Sequence, residues 1–181
     1  MHPRELRDVF GLFATGVTVV TAVGADGHPV GITANSVTSV SLDPPLMLWC
    51  LSSASSKLAA FAPGRPFAIH ILAADQADVA LQFARRGSLW PQEVVLPDAS
   101  PLRPDGMPVP PSVAGALARI DCLTTVWTDG GDHKVILGAI EALQARHAAP
   151  LVFHASRFGS FTDRPVEGLS TLQRASSGPW D

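Results

Sequence analysis

The chain has 181 residues and a mass of 19.0 kDa, a size that suits one domain around one core. Thirteen Lys and Arg against sixteen Asp and Glu give a formal charge of −3 and a pI near 6.0. With no basic cluster interleaved with aromatics, a nucleic-acid surface is excluded, as is a basic membrane-binding one.

The hydrophobic fraction of 46% and the mean hydropathy of +0.23 are high for a monomer of this size, so part of the apolar surface is expected to be buried in a homo-oligomer. The first residues carry Arg4, Glu5, Arg7 and Asp8. They form neither a secretory signal nor a bilayer-spanning stretch, and a cytoplasmic protein without membrane association is expected. Cys50 and Cys122 stand singly in apolar runs, without the paired spacing of a zinc or redox motif. They read as inert core residues in a reducing compartment, and no metal site can be built from them.

Arg4 to Phe13 places Leu6, Val9, Phe10 and Phe13 at helical spacing, which predicts a short helix with one buried face. The β-branched run Thr15–Thr21, the turn Asp26-Gly27 and a strand entering at about Val30 predict a hairpin. Gly31 to Leu46, GITANSVTSVSLDPPL, is rich in uncharged hydrogen-bonding side chains and closes on Asp43-Pro44-Pro45. As a strand it must bend where the polar run is densest, because alternation would send Thr33, Asn35 and Ser36 to different faces.

Leu46 to Leu51 is continuously apolar and reads as a strand buried on both faces. Ser55 caps a short helix through Lys57, Leu58 and Phe61, stopped by Pro63-Gly64. The strand Phe67–Leu72 follows, and then a helix from Gln76 to Arg86, capped by Asp75, with Val79, Ala80 and Phe83 inward. Seven prolines between Gly87 and Pro111 predict a long ordered loop without regular elements. Leu117–Thr128 and Lys134–Ala142 read as strands joined at Asp129-Gly130-Gly131-Asp132, and Pro150–His154 as a last strand. The tail from Arg164 lacks periodicity. The division expected is one domain over residues 1–163 and a flexible tail over 164–181. Six or seven strands with two or three short helices predict a mainly β fold, a closed antiparallel barrel with helical attachments.

Three stretches could carry chemistry; no nucleophile elbow, Walker loop, zincin motif or dinucleotide fingerprint occurs. The polar run 31–46 is either a pocket for a flat neutral ligand or a polar edge strand with a loop. Ser52-Ser53-Ala54-Ser55-Ser56-Lys57 combines hydroxyls, helix-start amides and one lysine, the makings of an anion site; the alternative is a serine-capped helix with a solvated lysine. His133, in Gly130-Gly131-Asp132-His133-Lys134, lies at a hairpin mouth where it could contact a ligand or merely be exposed. His70 and His154, inside strands, read as satisfied or partly buried.

Taken in order, FATGVTVVTA, GITANSVTSVSLDPPL, SSASSKLAAF, FAIHILAADQADVALQFA, GDHKVILGAIEAL and PLVFHASRFGSF resemble the short-chain flavin reductases, whose fold is an FMN-binding Greek-key split barrel. The likeness runs from about Arg4 to Phe161. It implies an NAD(P)H:flavin oxidoreductase, the reductase component of a two-component flavin monooxygenase. FMN or FAD would be the flavin and NADH or NADPH the hydride donor, in a homodimer that hands reduced flavin to its partner monooxygenase.

It further implies that Thr33, Ala34, Asn35 and Ser36 lie along the isoalloxazine ring, that Ser55 and Lys57 meet the flavin phosphate, and that His133 orders the nicotinamide. Ser39, Cys50, Leu51 and Phe83 join the implied cofactor contacts, and Phe158 is implied as a cover for the ring. The chain departs from the family in having no tyrosine, in reading Ser156-Arg157-Phe158 in the last motif, and in placing Val37 where relatives have phenylalanine. The rival reading is a split-barrel protein that binds flavin or haem without turnover, for storage or sensing. A split-barrel oxidase acting on a small substrate is a third.

Overall fold

A computed structural model of the chain describes residues 2–85, 94–95 and 102–162. In chain order the elements are α1 (Pro3–Phe10), β1 (Thr15–Gly16), β2 (Thr18–Val23), β3 (Pro29–Ala34), β4 (Thr38–Leu42), β5 (Pro45–Ser52), a 3-10 turn (Leu58–Phe61), β6 (Pro66–Ile71) and α2 (Ala77–Ala84). Then come β7 (Val94–Val95), β8 (Ser112–Val113), β9 (Ala118–Gly130), β10 (His133–Ala145), β11 (Leu151–His154) and β12 (Arg157–Ser160). The fold is mainly β, and every ladder is antiparallel.

The principal sheet runs β3-β2-β6-β9-β10-β5-β4, a second sheet runs β1-β11-β12, and β7 pairs only with β8. The expected closed barrel is therefore corrected to an open sheet. β3 and β4 are its two edges, and the chain crosses between them through Asn35, Ser36 and Val37 without a ladder. The curl of the sheet comes from β9 and β10, thirteen residues each, whose pairing shifts at Leu137/Gly138 and at Ile140/Ala142; such bulges bend strands and raise their twist.

Two apolar clusters fill the fold. One gathers Val20, Trp49, Phe61, Phe67, Ile69, Cys122 and Ile136 from the strands of the principal sheet and the 3-10 turn. Its aromatics meet edge to face, with Trp49 and Phe61 centroids 4.8 Å apart, the geometry aromatic quadrupoles favour. The other cluster packs Val79, Ala80 and Phe83 of α2 against Val17, Val19, Leu72 and Leu151. Gly138 is what lets Phe67 lie flat on the sheet, since a Cβ there would come within 2.5 Å of the ring's Cζ.

Several expectations change. The hairpin at Asp26-Gly27 forms, with Gly27 at φ +78, but β1 separates from β2 and joins the small sheet. α1 forms, opened by Pro3 and a reciprocal His2–Glu5 cap, yet no residue of it is buried. Val9, Phe10 and Phe13 are 63%, 70% and 77% exposed, because the helix contacts the rest of the chain at its end, where Ala155 N–H donates to Gly11 O at 2.7 Å.

β5 is not buried on both faces. Trp49 and Leu51 enter the core, whereas Leu46, Leu48 and Cys50, on the alternate face of the strand, stay half-buried among the described residues. Cys50 is thus no core residue; Cys122 is, and burial pushes its thiol up to about 12. Asp75 does not cap α2. Gln76 takes that place and spends its amide on Ala73 N–H and Ala114 O. The proline-rich segment does hold a regular piece, the two-residue strand β7. β12 is an element the periodicity does not reveal, and residues 164–181 lie outside the described residues.

Candidate functional site

A cleft of about 430 Å³ opens where β3, the end of β5, the serine turn and the C-terminal end of α2 converge. That volume lies within the usual range for small-molecule sites. Ile32, Leu51 and Phe83 give it apolar walls, while Ser52, Ser55, Ser56, Lys57 and Arg85 give it hydroxyls and cations. Of the residues expected at a flavin, the cleft collects Leu51, Ser55, Lys57 and Phe83.

Local hydrogen bonds shape the serine turn. Ser55 N–H donates to Ser52 O at 2.9 Å, and Lys57 N–H to Ser55 Oγ at 3.3 Å. Short-side-chain hydroxyls commonly hold such turns in place of backbone partners. The helix behind the turn is only one 3-10 turn, Leu58–Phe61, with no side-chain cap bond at its start. The turn is also tied to the hairpin beyond it, since Ser53 N–H donates to Asp132 O at 2.9 Å.

Through that link His133 reaches the site. It pairs with Ser52 across the β10–β5 ladder, so the hairpin mouth and the serine turn stand side by side. His133 Nδ1 lies 2.7 Å from Asp132 Oδ1, and this contact holds the Asp132 carboxyl below the usual range. A carboxylate only accepts, so Nδ1 carries the hydrogen and Nε2 is left for another partner.

The polar run behaves differently from its appearance. Thr33 Oγ1 donates to Ala80 O at 2.6 Å, fastening β3 to α2. Ala34 is buried, and its carbonyl accepts from Thr18 Oγ1 at 2.7 Å. Ser36 Oγ accepts from Cys50 N–H at 3.0 Å and lies 3.3 Å from Cys50 O, fastening the crossing segment to β5. Asn35 is exposed, and Ser39 is exposed on edge strand β4 opposite Met47. The hydroxyls of Thr33 and Ser36 are thus engaged by the protein itself, and what the segment presents is its backbone and the Asn35 amide.

Lys57 is engaged as well. Its Nζ donates to Gly31 O at 2.7 Å, and burial lowers its pKa from the ordinary lysine value. Phe158 is not brought to this cleft: it packs edge to face on Phe153 and lines a separate depression with Val152, His154 and Arg157. Arg85, exposed at the cleft mouth, is the residue the sequence reading missed. It closes α2, and only that helix's docking on β3 brings it beside the serine turn.

Elsewhere a depression of about 420 Å³ is lined by Arg103, Arg119, Asp121 and Glu141, but Arg103 pairs with Asp105 and Glu141, and Arg119 with Asp121. Internally paired charges make it a poor anion site. Among the described residues no group of His, Cys, Asp and Glu could hold a metal, and no helix is long and apolar enough to cross a membrane.

The cleft could hold a flat, partly apolar ring carrying a phosphate, because apolar walls, serine hydroxyls and cationic side chains meet in one place, while the turn amides of Ser53, Ala54, Ser55, Lys57 and Leu58 donate within the protein. Similarity to known proteins gives the family. The family profile described as flavin reductase like domain matches residues 10–162. The FMN reductase (NADH) SmoA of Agrobacterium fabrum is 41% identical over 162 residues, 89% of this chain and 87% of that protein.

Some relatives are longer: the chain spans 53% of the reductase component of the flavin-dependent trigonelline monooxygenase of Acinetobacter baylyi, at 40% identity over 94% of this chain. Among solved structures, BorF, the flavin reductase component of a bacterial two-component tryptophan halogenase, superposes with a TM-score of 0.77 at 34% identity, covering 90% of this chain and 100% of that one. The NADH:FAD oxidoreductase SgcE6 of Streptomyces globisporus, in complex with NAD and FAD fragments, gives 0.73 at 37% identity over 88% and 92%. The chain belongs to the family of the flavin reductase like domain and is an NAD(P)H:flavin oxidoreductase.

Proposed function

We propose that this protein binds FMN or FAD in the cleft between β3, the serine turn and α2, reduces it with NADH or NADPH, and releases it to a flavin-dependent monooxygenase. The observation that carries the site assignment is the cleft itself: Ile32 of β3, the serine turn with Lys57, and Phe83 and Arg85 at the end of α2 come from distant parts of the chain and line one cavity, with His133 beside it as the ladder partner of Ser52. Bound flavin supplies the hydride-accepting chemistry. The chain's own residues bind and orient.

The Ser55 and Ser56 hydroxyls, with Arg85 at the mouth, provide donors for a phosphate; charge-assisted bonds of this kind contribute roughly 1.5–3 kcal/mol each. Leu51, Ile32 and Phe83 keep water from one side of the ring, the backbone of residues 33–36 offers fixed donors and acceptors to its rim, and His133 Nε2 orders the nicotinamide. The open edges β3 and β4 then correspond to the split of a split barrel. Two unpaired cysteines suit a cytoplasmic setting.

A homodimer completes this reading. Leu48 and Cys50 of β5 lie opposite Leu137 and Val135 of β10, and Val126 of β9 lies opposite Leu137. Together they form a partly exposed aliphatic face of the sheet among the described residues, and Val9, Phe10, Leu12 and Phe13 at α1 are further exposed apolar side chains.

The deciding experiment measures NADH and NADPH oxidation with FMN, with FAD and with no flavin added. Oxidation that requires a flavin supports the reductase reading. Flavin binding without any nicotinamide oxidation would replace it with storage or sensing.

A further inference from the structure

The lysine of the serine turn is a charged side chain of the cleft whose partner is a strand backbone. Lys57 is fixed at its own main chain, its N–H on Ser55 Oγ at 3.3 Å and its carbonyl accepting from Ala60 N–H at 3.1 Å. From that anchor the side chain crosses to Gly31, on the opposite wall, and its Nζ donates to the carbonyl at 2.7 Å. The ammonium is partly withdrawn from water, and burial lowers its pKa.

β3 needs such a partner. Among the described residues it is an edge strand, paired with β2 alone, and edge strands carry backbone groups with no ladder on the open side. Gly31 is buried, and a buried carbonyl without a donor is disfavoured. Ile32, the next residue, forms the cleft wall, and Thr33 is pinned to α2 through Ala80 O two residues from Gly31. Lys57 and Thr33 therefore hold consecutive points of the same strand, one to the serine turn and one to the helix, and between them fix the width of the cleft.

We infer that Lys57 is a positioning residue: it holds edge strand β3 against the serine turn through Gly31 O, so that it shapes the ring-binding part of the cleft and is not the ligand of the flavin phosphate. This rests on the flavin reading of the cleft. The two roles predict opposite dependences on the phosphate. A phosphate ligand matters for FMN and is indifferent to riboflavin, which lacks that group, whereas a residue that shapes the ring wall matters equally for both.

The test titrates wild-type protein, Lys57→Met and Lys57→Arg with FMN and with riboflavin, following the quenching of flavin fluorescence, alongside melting curves. Positioning predicts that Lys57→Met weakens both flavins by the same factor, on the order of tenfold for one lost bond to a charged donor. The FMN-to-riboflavin preference should stay at the wild-type ratio, and Lys57→Arg should restore riboflavin binding. Where the Met variant does not fold, Lys57→Gln, which keeps a donor on a shorter chain, takes its place. A variant that loses FMN tenfold or more and keeps riboflavin unchanged overturns the inference, and so does one that leaves both affinities intact. Wild-type protein that binds neither flavin overturns the flavin reading instead, a result seen before any variant is made.

Discussion

Lowering the pH from 7.5 to 5.0 should cost the protein about 2 kcal/mol through one side chain, His70. It sits near the C-terminal end of β6, 1% exposed, with Nδ1 3.2 Å from Val19 O and Nε2 buried without a partner. Burial first, and the charge of Arg119 second, press its pKa from 6.5 to about 4, against smaller opposing contributions from the Val19 carbonyl and Asp121. The imidazole is therefore neutral in the fold.

Between pH 4 and 6.5 the unfolded chain binds a proton at this residue that the folded chain does not, so stability rises with pH through that window. The contribution is whole above pH 6.5 and is lost progressively as the pH falls towards 4. From 6.5 to 5.0 is 1.5 pH units at about 1.4 kcal/mol each, hence about 2 kcal/mol.

Urea unfolding followed by tryptophan fluorescence at pH 7.5, 6.0 and 5.0 reads it, since Trp49 is fully buried. The comparison is with His70→Asn, whose amide can still donate to Val19 O but does not titrate. His2, His28, His133, His147 and His154 are common to both proteins, so the difference between the two pH profiles isolates His70. Wild type should lose about 2 kcal/mol more than the variant over this range; parallel profiles would refute the assignment of a buried, neutral His70.

Three further outcomes follow from the same geometry. Gly138→Ala forces a methyl to within 2.5 Å of Phe67 Cζ and 3.1 Å of Cys122 Cβ, and should destabilise by about 1–3 kcal/mol, lowering the melting temperature by about 2–4 °C per kcal/mol; adding Phe67→Leu should recover part of the loss, and an unchanged melting temperature would show that the ring yields freely. His133→Ala should raise the nicotinamide KM or lower kcat, on the order of a hundredfold if the donor shifts by about 1 Å, with flavin affinity within twofold; a kinetically silent variant would leave the Asp129–Lys134 turn a hairpin and nothing more. Sedimentation at micromolar concentration should give a dimer burying above roughly 2,000 Å² in total, and Phe10→Glu with Phe13→Glu should shift it towards monomer; a stable wild-type monomer would remove the second copy from the site.

The strands were legible wherever a turn residue and a run of β-branched side chains coincided. Gly27 and the Thr18–Val23 run mark one hairpin, and Gly130-Gly131 marks the other. The second hairpin's strands run longer than their apolar stretch, because Arg119–Asp121 on one strand and Ala142–Gln144 on the other still pair across the ladder, past the bulge at Glu141. β12 escaped because its turn is made by Ala155 and Ser156 at φ 47 and 63, positions usually given to Asn and Gly. α1 shows the opposite failure. Its spacing correctly signals a helix, but spacing cannot say whether the partner of an apolar face lies in the same chain. Barrel closure is equally invisible, since whether β3 and β4 join depends on three residues that make no ladder.

The site was legible as polarity and not as direction. Thr33 and Ser36 were read as groups that touch the ring, and the structure places their hydroxyls on Ala80 O and on the Cys50 backbone. The polar run is selected for a different reason than its composition suggests. A crossing segment between two sheet edges has no ladder to hold it, so hydroxyls take over the work of a missing strand, and with Lys57 they fasten residues 31–36 to the serine turn, to α2 and to β5. Backbone held in this way loses little conformational entropy when a ligand docks, and preorganisation of that kind raises affinity without any new contact. On the flavin reading proposed for the cleft, recognition by fixed N–H and C=O groups would need no side chain to reorder in each turnover, and the hydroxyls of Thr33 and Ser36 serve as fasteners of that backbone.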